Sequence, residues 1–309
     1  MKGPSISAQR TKQLASHLLG GMASSSSSSA APWRATFLSH VEGMDSPTFV
    51  LSTLHPIPPL PGSSDERASQ FQYTPRARTV VYRGLWASLP DNPKNTAERN
   101  PDVYESDLIT ITTDERMEKV PELFSTASTS AAAPQSRPAG PIEAVFWMPD
   151  VMTQWRFRGH AVVIGPDIEG DAGSAARAAL EARMRSSSSS SSSKTGEEND
   201  DTHDDATSRR WSWARELTAH FGNLSPVMRG SFRNPPPGTR RDEKPGEGYG
   251  LGQKVEDLED EVARRHFRVV ALVPEEVDRV DLSKPDDGRR WNYKYTADQD
   301  AWEETELWP

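Results

Sequence analysis

Three short segments gather positive charge and hydroxyl groups. The first is Pro75-Arg76-Ala77-Arg78-Thr79-Val80-Val81-Tyr82-Arg83-Gly84; the second holds Thr112, Thr113, Arg116 and Lys119; in the third, Gln154, Arg156 and Arg158 alternate. Planar guanidinium forks match phosphate oxygens, and a lysine adds a point charge. Together these groups could grip a phosphate. The competing reading is an edge strand whose arginines stay solvated and discourage edge-to-edge pairing. Residue types alone leave both open. Spacing adds a constraint: Arg78 and Arg83 are five positions apart, which sends them to opposite faces of an ideal strand. Both reach one ligand only if the strand twists or ends near Gly84, or if the ligand lies across an edge.

Other chemistries find little support. The chain has no cysteine, which excludes disulfides, thiolate metal sites and cysteine nucleophiles. His17, His40, His55, His160, His203, His220 and His266 form no HxH, HxxxH or His-Glu-x-x-His pattern, so no catalytic metal is expected. Asp200, Asp201, Asp204 and Asp205 around His203 read as a solvated acidic run rather than a cation site. Gly246, Gly248, Gly250 and Gly252 do not satisfy a dinucleotide fingerprint; no phosphate-binding P-loop and no G-x-S-x-G is present. Lys+Arg 36 against Asp+Glu 45 leaves a net charge of -9, unsuited to general nucleic-acid binding. No apolar run reaches the ~20 residues that a membrane helix needs.

The elements that would position these groups read mainly as β. Strands are expected at 48–54, 75–84, 108–113, 143–148, 153–164 and 267–273, from β-branched and aromatic runs between Pro, Gly and Asn/Asp punctuation. Gly159 marks a bulge or bend in the fifth. A short helix should follow Pro32 and end before Pro47; another should be capped by Asp114. A third runs over 211–221, where Trp213, Leu217 and Phe221 share a face. Residues 175–185 are a further possible helix. Residues 1–31 are low-complexity and read as a disordered tail. Their lack of acidic residues is also compatible with a mitochondrial transit segment, although a cytoplasmic protein is the first expectation. Disordered insertions are expected at about 125–140, 170–209 and 239–262. Strands joined by loops without βαβ alternation favour an antiparallel barrel over 32–309.

The order of the motifs resembles that of the pyridoxamine 5'-phosphate oxidase-like flavoproteins. It is closest to the plant, fungal and cyanobacterial branch known as an FMN-binding domain. The matching pieces are Pro32-Trp33-Arg34, the run from Arg78 to Gly84, Thr113-Asp114-x-Arg116-x-x-Lys119 and Glu143-Ala144-x-x-Trp147. They continue with Gln154-x-Arg156-Phe157-Arg158-Gly159, Leu224-Ser225-Pro226 with Pro237-Gly238, and the end from Trp302 to Leu307-x-Pro309. The resemblance implies a six-stranded antiparallel split β-barrel with a few short helices, a homodimer, and FMN between subunits. It implies an oxidoreductase of unknown small-molecule substrate, with a non-catalytic flavin- or haem-binding module as the alternative. By the same resemblance Arg78, Arg83, Arg116 and Lys119 would hold the phosphate, and Gln154 would meet the flavin ring. Thr79, Thr113 and Ser225 would add hydrogen bonds, with Val80 and Val81 between the arginines. Two departures are visible. Met117 stands where the branch usually has serine. The C-terminal Arg-x-His-Asp-Arg of true pyridoxamine phosphate oxidases is replaced by Arg289-Arg290-Trp291-Asn292-Tyr293-Lys294, which speaks against vitamin B6 oxidation.

Overall fold

The computed structural model describes residues 29–58, 72–126, 133–187 and 210–309. The expectations for the serine tract beyond Ser187, the acidic run around His203 and the first 28 residues lie outside these. In chain order the elements are α1 (Arg34–Glu42), β1 (Thr48–Ile57), β2 (Gln72–Val81), β3 (Tyr104–Ser106), β4 (Ile109–Asp114), α2 (Lys119–Leu123), β5 (Arg137–Met148), β6 (Thr153–Ile164), α3 (Ser174–Glu181), β7 (Met184–Ser186), α4 (Trp213–Gly222), α5 (Pro226–Gly230), α6 (Glu261–His266), β8 (Phe267–Asp281), β9 (Arg289–Thr296) and β10 (Ala301–Leu307).

Seven strands run in the order β10-β9-β8-β6-β5-β1-β2, and β4 joins the free side of β8. Every pairing is antiparallel. The segment after β2 turns onto β4: Arg83 N donates to Thr110 O, Thr110 N to Gly84 O and Trp86 N to Leu108 O, each at 2.9 Å. That contact closes β4, β8, β6, β5, β1 and β2 into a barrel of the expected split type. Its six strands are the six read from the sequence. Four more, β3, β7, β9 and β10, lie outside that reading. The β9–β10 hairpin extends the sheet through the second half of β8, where Glu276–Asp281 pairs with Arg289–Lys294.

Alternation places the core. Phe49, Leu51, Ile111, Phe146, Trp155, Phe157, Val270 and Leu272 face inward, joined by Trp33 and Phe37 of α1. The opposite face of β6 and β8 is buried as well: Val162, Ile164, Val269, Ala271 and Val273 pack under Leu180, Leu217 and Phe221. Burial on both faces is why 267–273 reads as an unbroken apolar run. Each such large side chain contributes about 1.5–3 kcal/mol by leaving water. At Gly159 the register with β8 shifts, and a Cβ there would stand 2.0 Å from Val273 O. The expected bulge is thus a site where two backbones touch.

Two insertions differ from expectation over their described parts. Residues 137–140 open β5, with Pro138 and Pro141 tolerated beside a register shift at Ala139/Pro141. Residues 171–186 form a 3-10 turn, α3 and β7. Arg185 of β7 donates to Asp107 at 2.8 and 3.1 Å, and Arg34 donates to the same carboxylate at 2.7 Å. These short elements are held by long-range contacts, which composition does not reveal.

Candidate functional site

A cleft of about 880 Å³ opens where β2 and β4 leave the barrel. That volume lies within the range of small-molecule sites. One wall is local and carries Thr79, Val80, Val81, Arg83, Thr112, Thr113, Arg116, Met117 and Lys119. The other comes from more than a hundred residues on, with Leu224, Met228, Phe232, the Pro235–Pro237 run and Arg241. Seven of the ten site residues expected from sequence therefore converge.

Their geometry follows from the strand. Thr79 and Val81 lie across from Val50 and Thr48, on the outer face of the sheet. Arg83 continues that alternation, while Tyr82 turns inward against Phe37 at 6.1 Å between ring centroids. Gly84 has φ +106, and a Cβ on it would meet Pro90 Cδ at 2.3 Å, so glycine is required where the chain bends onto β4. Arg83 Nε donates to Thr112 Oγ1 at 3.3 Å, and Lys119 Nζ donates to Thr113 Oγ1 at 3.0 Å. Neither cation has a carboxylate partner among the described residues. Burial lowers the pKa of Arg83. Burial, followed by the positive charge of Arg78, lowers that of Lys119 against the opposing pull of Asp114 and Glu122.

Arg116 is engaged differently. Its guanidinium donates to both Asp114 oxygens at 2.9 and 2.6 Å, and to the carbonyls of Phe232 and Asn234 at 3.1 and 3.2 Å. The hydrogen bond it donates to Asp114 is the main cause of its raised pKa. Asp114 does not cap a helix; it ends β4 and accepts from Arg116 N at 2.8 Å, while α2 starts at Lys119. Arg116 thus ties the near wall to the far wall.

Three expected residues lie elsewhere. Arg78 sits opposite Leu51 on the inner face of β2. It is ion-paired to Glu122 and donates to Thr53 Oγ1 at 2.5 Å. The five-residue spacing sends it away from Arg83, as strand geometry demands. Gln154 lies on the outer face of β6, across from Trp147. Ser225 caps α5, accepting from Met228 N at 3.3 Å, between the rim residues Leu224 and Met228. The Arg289–Lys294 segment is also outside the cleft: Arg290 donates to both oxygens of Asp278 at 2.8 and 2.7 Å. Sequence reasoning quoted Leu224 and Pro237 of the far wall only as motif residues and missed Met228 and Phe232. Met228 carries no signal, but Arg240-Arg241 after Pro237-Gly238 was a visible cationic pair.

The residues present suit a phosphate monoester: two half-buried cations, oriented by hydroxyls and with no carboxylate at ion-pair distance among the described residues, face a cleft with largely apolar walls. Comparison with known proteins agrees. Residues 30–165 match the family model described as pyridoxamine 5'-phosphate oxidase, FMN-binding domain. That span contains β1, β2, β4, β5, β6 and both cations. That stretch is thus similar to the FMN-binding domain of the pyridoxamine 5'-phosphate oxidase family, and FMN is the cofactor that this match assigns. A solved structure of a pyridoxamine 5'-phosphate oxidase-related, FMN-binding protein from Nostoc punctiforme PCC 73102 shares the fold. Its TM-score is 0.50 at 18% identity, over 91% of this chain and 99% of that one. PhzG from Burkholderia lata 383, solved with tetrahydrophenazine-1-carboxylic acid, is more distant, with TM-score 0.35 and 14% identity over 90% and 89% of the two chains. No curated protein matches the chain.

Proposed function

We propose that this cleft is the FMN site, that Arg83 and Lys119 hold the phosphate, and that the protein is an oxidoreductase acting on a small molecule. The observation that carries this reading is the pair of cations without carboxylate partners, facing one cleft. An uncompensated, partly desolvated charge is costly, and a phosphate dianion would relieve two at once. Thr112 and Thr113 orient the two donors through the hydrogen bonds described above. Thr79, Val80, Val81, Leu224 and Phe232 line the walls and exclude water. Arg116 acts by positioning, since its donors are already committed. When bound, FMN supplies the redox chemistry, and the protein supplies position and field.

The proposal includes a homodimer. Val50, Val81 and Trp147 are 39%, 37% and 44% exposed and share the outer face of β1, β2 and β5. This apolar strip runs from the cleft to Gln154. A second copy closing on it would bring Gln154 of the partner subunit toward the flavin, the role the motif resemblance implies. FMN titration by flavin fluorescence, with light scattering for mass, tests the reading. Expected are micromolar or tighter binding, weakened at least tenfold by Arg83→Ala or Lys119→Ala, and a dimeric mass. Equal FMN affinity in both variants would refute the phosphate assignment. Absence of turnover with any electron donor would limit the protein to flavin binding.

A further inference from the structure

Each of the two cations in the cleft touches a thioether. Lys119 Nζ lies 2.9 Å from Met117 Sδ, and Arg83 Nη2 lies 3.7 Å from Met228 Sδ. The two methionines come from distant parts of the chain, yet both line the same cleft. They are 38% and 40% exposed, open to a small oxidant. A thioether is a weak acceptor, so it occupies the space beside each cation and leaves the charge available to an anion. A sulfoxide is the reverse: polar, with an oxygen that accepts strongly.

We propose that Met117 and Met228 form a peroxide-sensitive modification site that sets the affinity of the cleft for a phosphate ligand. The inference rests on the reading of the cleft as a phosphate site. The oxidant is hydrogen peroxide. The sulfur lone pair attacks one peroxide oxygen, an S–O bond forms and the O–O bond breaks. The departing hydroxide takes up the proton left by the attacked oxygen and leaves as water. Sulfur loses two electrons, and the peroxide gains them. The new oxygens then accept from Lys119 and Arg83, in the space that phosphate oxygens need, and their negative ends repel a dianion. Thr113 Oγ1, 3.8 Å from Met117 Sδ, is a further donor to the sulfoxide.

Met152, 44% exposed on the turn between β5 and β6 and not part of the cleft, is an internal control. The full-length protein is treated with hydrogen peroxide, sulfoxides are located by peptide mass, and FMN and riboflavin are titrated before and after. Expected are sulfoxides at Met117 and Met228, a fall of tenfold or more in FMN affinity, and a change below twofold for riboflavin, which lacks the phosphate. A Met117→Leu/Met228→Leu variant, compared with its own untreated sample, should keep its FMN affinity although Met152 is still oxidised. Methionine sulfoxide reductases with thiol should restore the wild-type protein. The proposal is overturned by unchanged FMN affinity with both sulfoxides present, by oxidation of Met152 without Met117 and Met228, by an equal loss in the leucine variant, or by a parallel loss of riboflavin. If untreated protein binds FMN no more tightly than riboflavin, it is the phosphate reading of the cleft that fails.

Discussion

Replacing Arg78 with alanine should unfold the protein sooner while leaving the cleft's own cations in place. Glu122 is 4% exposed and would lose its ion pair. Removing one partner of a buried pair costs roughly 3–5 kcal/mol. Here the Thr53 hydroxyl still donates to Glu122 at 2.5 Å and His55 still lies at 3.1 Å, so the low end applies, about 3 kcal/mol. For a chain of this size that lowers Tm by roughly 5 °C. Acid should erase the difference. Burial pushes the Glu122 carboxyl up, but the Thr53 hydroxyl, the Arg78 charge and the hydrogen bonds from Arg78 and His55 outweigh it and hold the pKa below the ordinary value. Its stabilisation is therefore fully present above the unfolded carboxylate pKa and is lost as pH falls through the depressed folded one. Thermal melts of wild type and Arg78→Ala at pH 7 and through successively more acidic buffers provide the assay. Equal melting at pH 7, together with a larger loss of FMN affinity than in Arg83→Ala, would show that Arg78 serves the ligand instead.

Gly84→Ala should cost about 1–3 kcal/mol, because alanine is strained at φ +106 and its Cβ meets Pro90; a denaturation curve matching wild type would contradict the bend described here. FMN affinity should fall with rising pH earlier than an ordinary lysine predicts, since burial lowers the Lys119 pKa, and Lys119→Arg should move the fall to higher pH. An identical pH profile in the two proteins would exclude Lys119 from the site. His220 is fully enclosed against Trp86, its ring nitrogens make no hydrogen bond among the described residues although Glu216 Oε1 lies 3.7 Å from Nε2, and burial lowers its pKa to about 3. The unfolded chain then takes up a proton below its own histidine pKa that the folded one refuses. Stability should fall by up to about 1.4 kcal/mol per pH unit between about 6.5 and 3, a slope that His220→Gln removes from urea midpoints.

The barrel was legible because its strands carry their own pattern. Phe49, Leu51 and Phe146 alternate with exposed neighbours, and the doubly covered 267–273 segment is uniformly apolar. The β9–β10 hairpin was not, although Trp291, Tyr293 and Tyr295 alternate, because exposed charged residues fill β10 and only the pairing of β9 with β8 ties the hairpin to the sheet. The near wall of the cleft was readable as cations beside hydroxyls. Which arginine faced the cleft depended on strand parity: Arg83 shares a face with Thr79 and Val81, whereas Arg78 shares one with Val80 and turns toward Glu122. Most of the far wall was hidden, since nothing local in Met228 or Phe232 announces a neighbour more than a hundred positions away; Leu224 and Pro237 stood out only as pieces of a motif. Asp114 was misread as a cap because Asp precedes helices and also closes turns, and only its bond to Arg116 distinguishes the two.

The clasp that Arg116 makes between β4 and the carbonyls of Phe232 and Asn234 gives occupancy of the cleft a second meaning. A pocket whose halves are tied by the Arg116 guanidinium exists only once chain segments 116 and 118 positions apart have met. The unfolded chain offers a ligand nothing comparable. Any molecule that fills the cleft therefore acts as a ligand of the finished fold, adding about 2.7 kcal/mol at a hundred times its Kd. The supply of that molecule in the cell would then govern how much of the newly made chain survives, apart from any reaction it takes part in.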